Sequence, residues 1–286
     1  MRQTLTLFDI MPGKVLGERF LVQGTSRQGG LSAVFHVHDQ QEERDCELQL
    51  FPAGLFDDDG ESAEFVASWQ NWSEVHSPFV ARVLGVVDLG GTQALLTERP
   101  HGRCLRELMD EGRPFTPSDV IGLGLELCAG LSALHARGLA HGDVKPKTIF
   151  VDETDSSLVP TLVDGGVTSG LWAAKHLGEQ TALIGTPFYA PIEQFGGTAP
   201  DARSDVYNTA AVLYELATGV LPWKGTSFLD IFQAKLAKSV PPMALRAPDI
   251  EVPEDLESAI LGGLASDRNL RYPDAIHFGA ALADLA

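Results

Sequence analysis

The chain has 286 residues, 44% of them hydrophobic and 21% charged, which suits an ordinary globular protein with one large domain or two lobes. A formal net charge of −18 argues against nucleic acid or an anionic membrane as a partner, and any bound polyphosphate would need a local cation. No apolar run approaches the roughly 18 residues of a membrane span. The N-terminal stretch lacks a signal-peptide core, and the three cysteines, Cys46, Cys104 and Cys128, form neither a disulfide framework nor a metal pattern. Together these features predict a cytoplasmic protein.

The first third reads as strands. Residues 4–10, TLTLFDI, suggest an extra strand in an N-terminal extension, 1–16. GERFLVQGTS, LSAVFHVHD and RDCELQLF are short apolar runs broken by Gly, Asp and charge, as in an antiparallel meander. In ESAEFVASWQNWSEV, Phe65, Trp69, Trp72 and Val75 recur at helical spacing on one face. VARVLGVVDLGGTQALLTE then gives two strands around a Gly-Gly turn.

Past Pro100 the texture becomes helical. Thr116 is placed to cap a helix, with Pro117 at its first position, Asp119 in its first turn and apolar spacing as far as Leu134. Further helices are expected over SDVYNTAAVLYELATG, SFLDIFQAKLAK, PEDLESAILGGLA and YPDAIHFGAALADLA. The predicted class is α+β: a small antiparallel β lobe with one helix, residues 17–99, and a larger helical lobe, residues 100–286.

Six stretches, in this order, carry a resemblance. They are GERF, HGDVKP, VDGG, GTPFYAPIEQ, SDVYNTAAVLYELATGVLPW and DRNLRYP, spread over residues 17–286. The chain resembles the protein-kinase-like superfamily in its bacterial serine/threonine, or Hanks-type, version. The resemblance implies a bilobal fold and ATP with Mg²⁺ as the ligand. It also assigns roles. Asp143 stands where the family has its catalytic base, and Lys145 where a lysine steadies the γ-phosphate. Asp164 matches the metal-binding Asp, and Val34 the residue over the adenine. Glu193 and Arg271 match an ion pair that ties the activation segment down, and Asp205 the residue that holds the catalytic-loop backbone.

Other matched positions depart from the family. In the Gly-rich loop, Arg27 and Ser32 stand at the first and third glycines and only Gly29 is kept; the loop reads as an ordinary turn, although Arg27 could reach a phosphate. Gln49 replaces the strand lysine and carries no charge to offset a polyphosphate. Ser68 replaces its partner glutamate, with Glu64 one turn earlier on the helix. At the hinge, Glu98 precedes Pro100, which falls where adenine takes a backbone N–H and has none to give. Thr148 replaces the Asn that binds a second metal, and Mg²⁺ demands close octahedral oxygen ligands. Gly142 stands in place of an Arg that reads a phosphorylated activation segment, so phosphate on Thr181 or Thr186 would meet no prepared partner. Gly165 replaces a Phe, and the adjacent glycines suggest a flexible segment.

Fold-bearing positions are kept and ATP-gripping positions are altered. The expectation is a pseudokinase, a binding module or allosteric regulator with little or no phosphotransfer and weak or absent ATP binding. Two alternatives stand beside it: an active kinase with rearranged nucleotide anchoring through Arg27, and a nucleotide sensor without turnover. A regulator of this kind implies another protein, a kinase, receptor or effector, as partner.

Overall fold

The structure, a computed structural model, describes residues 10–28, 32–52, 55–154, 157–175, 187–236 and 240–286. Gly29, Thr181, Thr186 and all but the last residue of the expected strand at 4–10 lie outside the described residues. The chain divides into two units, residues 1–76 with 81–100, and residues 77–80 with 101–286.

The first unit is an antiparallel sheet with one helix. Its strands are β1 (Val15–Leu16), β2 (Phe20–Gln28), β3 (Ala33–Asp39), β4 (Arg44–Leu50), β5 (Val83–Asp88) and β6 (Gln93–Glu98), in the order β1-β2-β3-β4-β6-β5. Period-two alternation sends Ala33, Phe35, Val37, Cys46, Leu48 and Leu50 into one apolar core with Phe20, Val22 and Leu96. The register breaks twice along β2, between Val22 and Gly24 and between Thr25 and Arg27, and such bulges increase strand twist. The predicted Gly-Gly turn joins β5 to β6. Gly90 and Gly91 have φ of +78° and +102°, which only glycine adopts freely, and the Asp88 carboxylate accepts the Gly91 N–H at 2.5 Å. Helix α1 (Asp59–Trp72) begins at Asp58, whose carboxylate accepts the N–H groups of Gly60 and Glu61. Phe65, Trp69, Trp72 and Val75 are all buried, as their spacing predicts.

The second unit pairs β7 (Arg103–Cys104), β8 (Ile149–Glu153) and β9 (Leu158–Leu162) in a small antiparallel sheet. Its helices are α2 (Leu105–Asp110), α3 (Pro117–His135), α4 (Val167–Ala174), α5 (Ile192–Phe195), α6 (Ala202–Thr218), α7 (Phe228–Leu236), α8 (Met243–Arg246), α9 (Glu254–Gly263) and α10 (Ala275–Ala283). Helix α3 starts in a capping box: Thr116 Oγ1 accepts the Asp119 N–H, and the Asp119 carboxylate accepts the Thr116 N–H. Contrary to the sequence reading, α3 is long and apolar enough, by length and composition, to cross a membrane. It behaves here as a core helix, with Leu123, Leu127, Leu131 and Leu134 fully buried and contacts to β9, α6 and α10. Helix α6 is buried along nearly its whole length and packs on α3, α9 and α10. It ends at Gly219, whose φ of +73° closes its last turn. The architecture is α+β.

Candidate functional site

The positions expected to hold a nucleotide fall on three adjacent strands of the first unit. Arg27 pairs with Val34 across β2 and β3, Val34 with Gln49 across β3 and β4, and Gln49 with Leu95 across β4 and β6. This row lies on the sheet face opposite the apolar core, because residues one apart on a strand point to opposite sides. Glu47, two residues before Gln49, shares the face and pairs with His36 and Thr97. Strand β4 is therefore buried on both sides: Glu47 is 0% exposed and Gln49 is 3% exposed.

These polar groups engage one another. Gln49 Nε2 donates to Ser32 Oγ at 2.8 Å, so two of the substituted positions are tied together. Arg27 Nη1 lies 2.8 Å from both Glu47 carboxylate oxygens, and Ser26 Oγ donates to Glu47 at 2.7 Å. Burial, together with the Arg99 and Arg27 charges, lowers the pKa of neighbouring His36, so His36 does not compete as a cation. Glu47 sits at the position of the alanine in the family's V-A-I-K strand motif. The sequence reading passed over it. The signal was present: an acid at period two from Gln49 inside the apolar run CELQLF is a buried charge that must find a cation.

The remaining positions of this half offer a nucleotide little. Ser68 donates its hydroxyl to Phe65 O of its own helix at 2.6 Å, and Glu64 is exposed. Glu98 closes β6, its N–H donating to Arg82 O at 2.9 Å, and Pro100 beyond it is half-buried without a donor. Val34 is buried in its cross-strand pair.

In the second unit, the loop before β8 is held from beneath. Asp205, fully buried on α6, accepts the N–H groups of His141 and Gly142 at 2.8 Å each and contacts His135 Nε2 at 3.0 Å. His141 is buried as well. Its Nε2 reaches Val163 O at 3.0 Å, which leaves Nδ1 to accept the Asp143 N–H at 3.3 Å. The Asp143 and Lys145 side chains meet directly. Thr148 is committed to the loop: its Oγ1 accepts the Lys145 N–H at 3.1 Å and lies 3.1 Å from the carbonyls of Asp143 and Lys145. One hydroxyl proton serves those two carbonyls, so the group closes the turn rather than facing a metal. Gly142 has φ +84°, and a Cβ there would stand 3.3 Å from Pro200, so a side chain at this position would be strained and tightly packed.

Asp164 also has a left-handed backbone, φ +59°, unusual for a residue with a side chain. Beyond it, Gly165 and Gly166 lead into a helix. Gly166, φ +75°, caps α4, and the Gly170 N–H donates to its carbonyl at 2.8 Å. The Gly166 N–H in turn donates to His141 O at 3.2 Å. Glycine here turns the chain sharply into a helix. Arg271 grips Glu193 through Nη1 at 2.7 Å and Nη2 at 3.3 Å, donates to the carbonyls of Ala265 and Arg203, and stacks on Tyr207. Two further clusters carried no sequence signal. Arg106, Tyr189 and Glu215 form one hydrogen-bonded group, and Lys235 is buried against the chain at 187–190.

Two of the positions matched to a nucleotide site are turned toward their own neighbours. Arg27, the one strand cation of the row, is engaged by Glu47, and Gln49 by Ser32. Among the described residues no group of three or more His, Cys, Asp and Glu side chains is arranged to hold a metal.

Comparison with known proteins places these features in context. The protein kinase domain family model matches residues 28–272. The probable serine/threonine-protein kinase PknB of Corynebacterium glutamicum is 32% identical over 281 residues, covering 95% of this chain and 43% of that protein. Serine/threonine-protein kinase PknL of Mycobacterium tuberculosis is 30% identical over 281 residues, covering 97% of this chain and 68% of that protein. Measured against the PknB relative and a Corynebacterium efficiens kinase, the chain spans only about two fifths of their length. Among solved structures, the kinase domain of Mycobacterium tuberculosis PknI superposes with a TM-score of 0.72 at 18% identity, over 96% of this chain and 98% of that one. That likeness shows the fold.

Proposed function

The chain belongs to the protein kinase family, in company with bacterial serine/threonine kinases, and we propose that within it this domain is a pseudokinase, a binding or regulatory module that does not transfer phosphate. One observation carries the reading: the sheet face that would receive ATP is closed by its own side chains, Arg27 on Glu47 and Ser32 on Gln49. A triphosphate would have to displace a buried carboxylate from its cation. Leaving one buried charge of such a pair uncompensated costs about 3–5 kcal/mol, which cancels two to four decades of affinity. Protein relatives named as kinases support the family and the ancestral chemistry. The substituted positions support its loss. A second reading, an active enzyme, draws on the Asp143–Lys145 pair, which keeps the family's base and its lysine in contact. It needs Arg27 for the phosphates, and Arg27 is occupied. Acting without turnover, the domain would work through a protein partner.

Thermal unfolding with ATP, with and without Mg²⁺, tests the proposal together with radiolabel transfer to a generic protein substrate. No Mg²⁺-dependent stabilisation and no transfer are expected. Stabilisation that needs Mg²⁺ and disappears in Asp164→Asn, or transfer abolished by Asp143→Asn, would establish the second reading instead. A shift that needs no Mg²⁺ and comes without transfer would mark a sensor.

A further inference from the structure

Lys235 is the least expected buried group in the second unit. It lies in the last turn of α7 and is 2% exposed. Its Nζ donates to the carbonyls of Pro187 at 2.9 Å, Phe188 at 3.2 Å and Ala190. The ammonium also stands over the rings of Phe195 and Tyr207, at 5.6 and 5.2 Å from their centroids. Three donors thus meet three carbonyls from one short stretch of chain, a match in number that a lysine side chain can satisfy completely. The stretch lies in GTPFYAPIEQ, which closes the activation segment in the family the chain resembles. In many relatives of that fold an arginine would stand at Gly142 and read a phosphate on the segment. Here the residue is glycine, with φ +84°, and brings no side chain to the segment.

We propose that Lys235 is a positioning residue that pins the Pro187–Ala190 stretch to α7 without help from phosphorylation. The charged and titratable groups around the amine are Glu193 on α5, Tyr207 on α6 and Arg271 after α9. Burial pulls the lysine pKa down to about 7, with Glu193 opposing the shift and Arg271 reinforcing it. Other anchors reach the same stretch, notably Asn208 Nδ2 on Tyr189 O at 2.8 Å, but among the described residues Lys235 alone gathers three of its carbonyls. The inference requires only the fold, so it stands or falls independently of whether the domain transfers phosphate.

Limited chymotrypsin cleavage after Phe188 or Tyr189, located by mass spectrometry, reads the hold directly. Lys235→Met keeps the length and removes the donors, and roughly tenfold faster nicking is expected. Thr116→Ala, which weakens the fold far from the stretch, serves as the control and should nick there no faster than wild type. Methylammonium or ethylammonium added to Lys235→Ala should restore protection, and phosphatase treatment of the wild type should change nothing. Equal nicking in the control, unchanged nicking in Lys235→Met, or no rescue by amines would overturn the proposal, the last by assigning the hold to the aliphatic stem. Faster nicking after phosphatase would overturn its phosphate-independence.

Discussion

At the scale of single residues, the sheet face of the first unit is governed by the cost of burying charge. Glu47 is enclosed and Arg27 partly buried, with side-chain exposures of 1% and 18%. Their attraction offsets desolvation only while both are present. Arg27→Met is therefore expected to cost about 3 kcal/mol of unfolding free energy, because it strands the carboxylate. Arg27→Met combined with Glu47→Leu should recover most of that loss, since apolar groups of similar volume serve a buried site as well. Urea unfolding of the two variants, with Glu47→Leu closing the cycle, checks the claim. If the double variant is less stable than the Arg27 variant, the pair is not what holds the face shut. The same cycle bears on the proposed function, because ATP binding that appears only in the double variant would identify the pair as the block.

At the scale of elements, local chemistry set most boundaries. The Thr116–Asp119 capping box makes α3 the clearest case. Thr116→Ala removes the acceptor for the Asp119 N–H and should lower stability by about 1 kcal/mol, whereas Thr116→Ser should hold it near wild type. Thermal unfolding of both variants decides the point, and equal losses would refute a capping role. The elements written by local rules were legible. They are the alternation of β3, the Phe65-Trp69-Trp72 face of α1, the Gly-Gly turn and the stop of α6 at Gly219. The hairpin of β8 and β9 and helices α2 and α4 were not anticipated, for reasons that can be named. Pro160 lies inside β9, paired with Val151, where proline usually argues against a strand. The glycines before α4 carry no helical signal, and the αL turn at Gly166 that starts the helix is not written in the residue type. The site divides in the same way. Which residue types were substituted could be read directly. What they bond to could not, because Arg27 reaches Glu47 from twenty positions away and Lys235 reaches its carbonyls from forty-five or more. No periodicity encodes such partners.

At the scale of the whole molecule, the buried lysine makes stability depend on pH well above the range in which carboxylates titrate. Its pKa is about 7 in the fold against 10.5 for the ordinary side chain. Between those values the unfolded chain binds a proton that the folded chain does not, so stability rises with pH, by up to about 1.4 kcal/mol per pH unit. Below about pH 7 both states carry the proton and this contribution levels off at its least favourable value. Other groups confine the useful window. Burial pushes the Cys46 thiol up to about 11 and the Cys128 thiol up to about 12, so the unfolded chain loses those protons first and stability falls once the pH passes the ordinary thiol value of 9.0. Lowered His36 acts below its ordinary value of 6.5, where the unfolded chain again takes up the proton first and stability drops as the pH falls. His38, raised by its hydrogen bond to Asp45, works in the other direction above 6.5, so the interval from about pH 7 to 9 is read as the difference between two chains that share it. Across it the urea midpoint of the wild type is expected to climb relative to Lys235→Met, whose curve lacks this term. Parallel curves would mean that the amine keeps an ordinary pKa in the fold, and that the three carbonyls stabilise the ammonium more than burial opposes it.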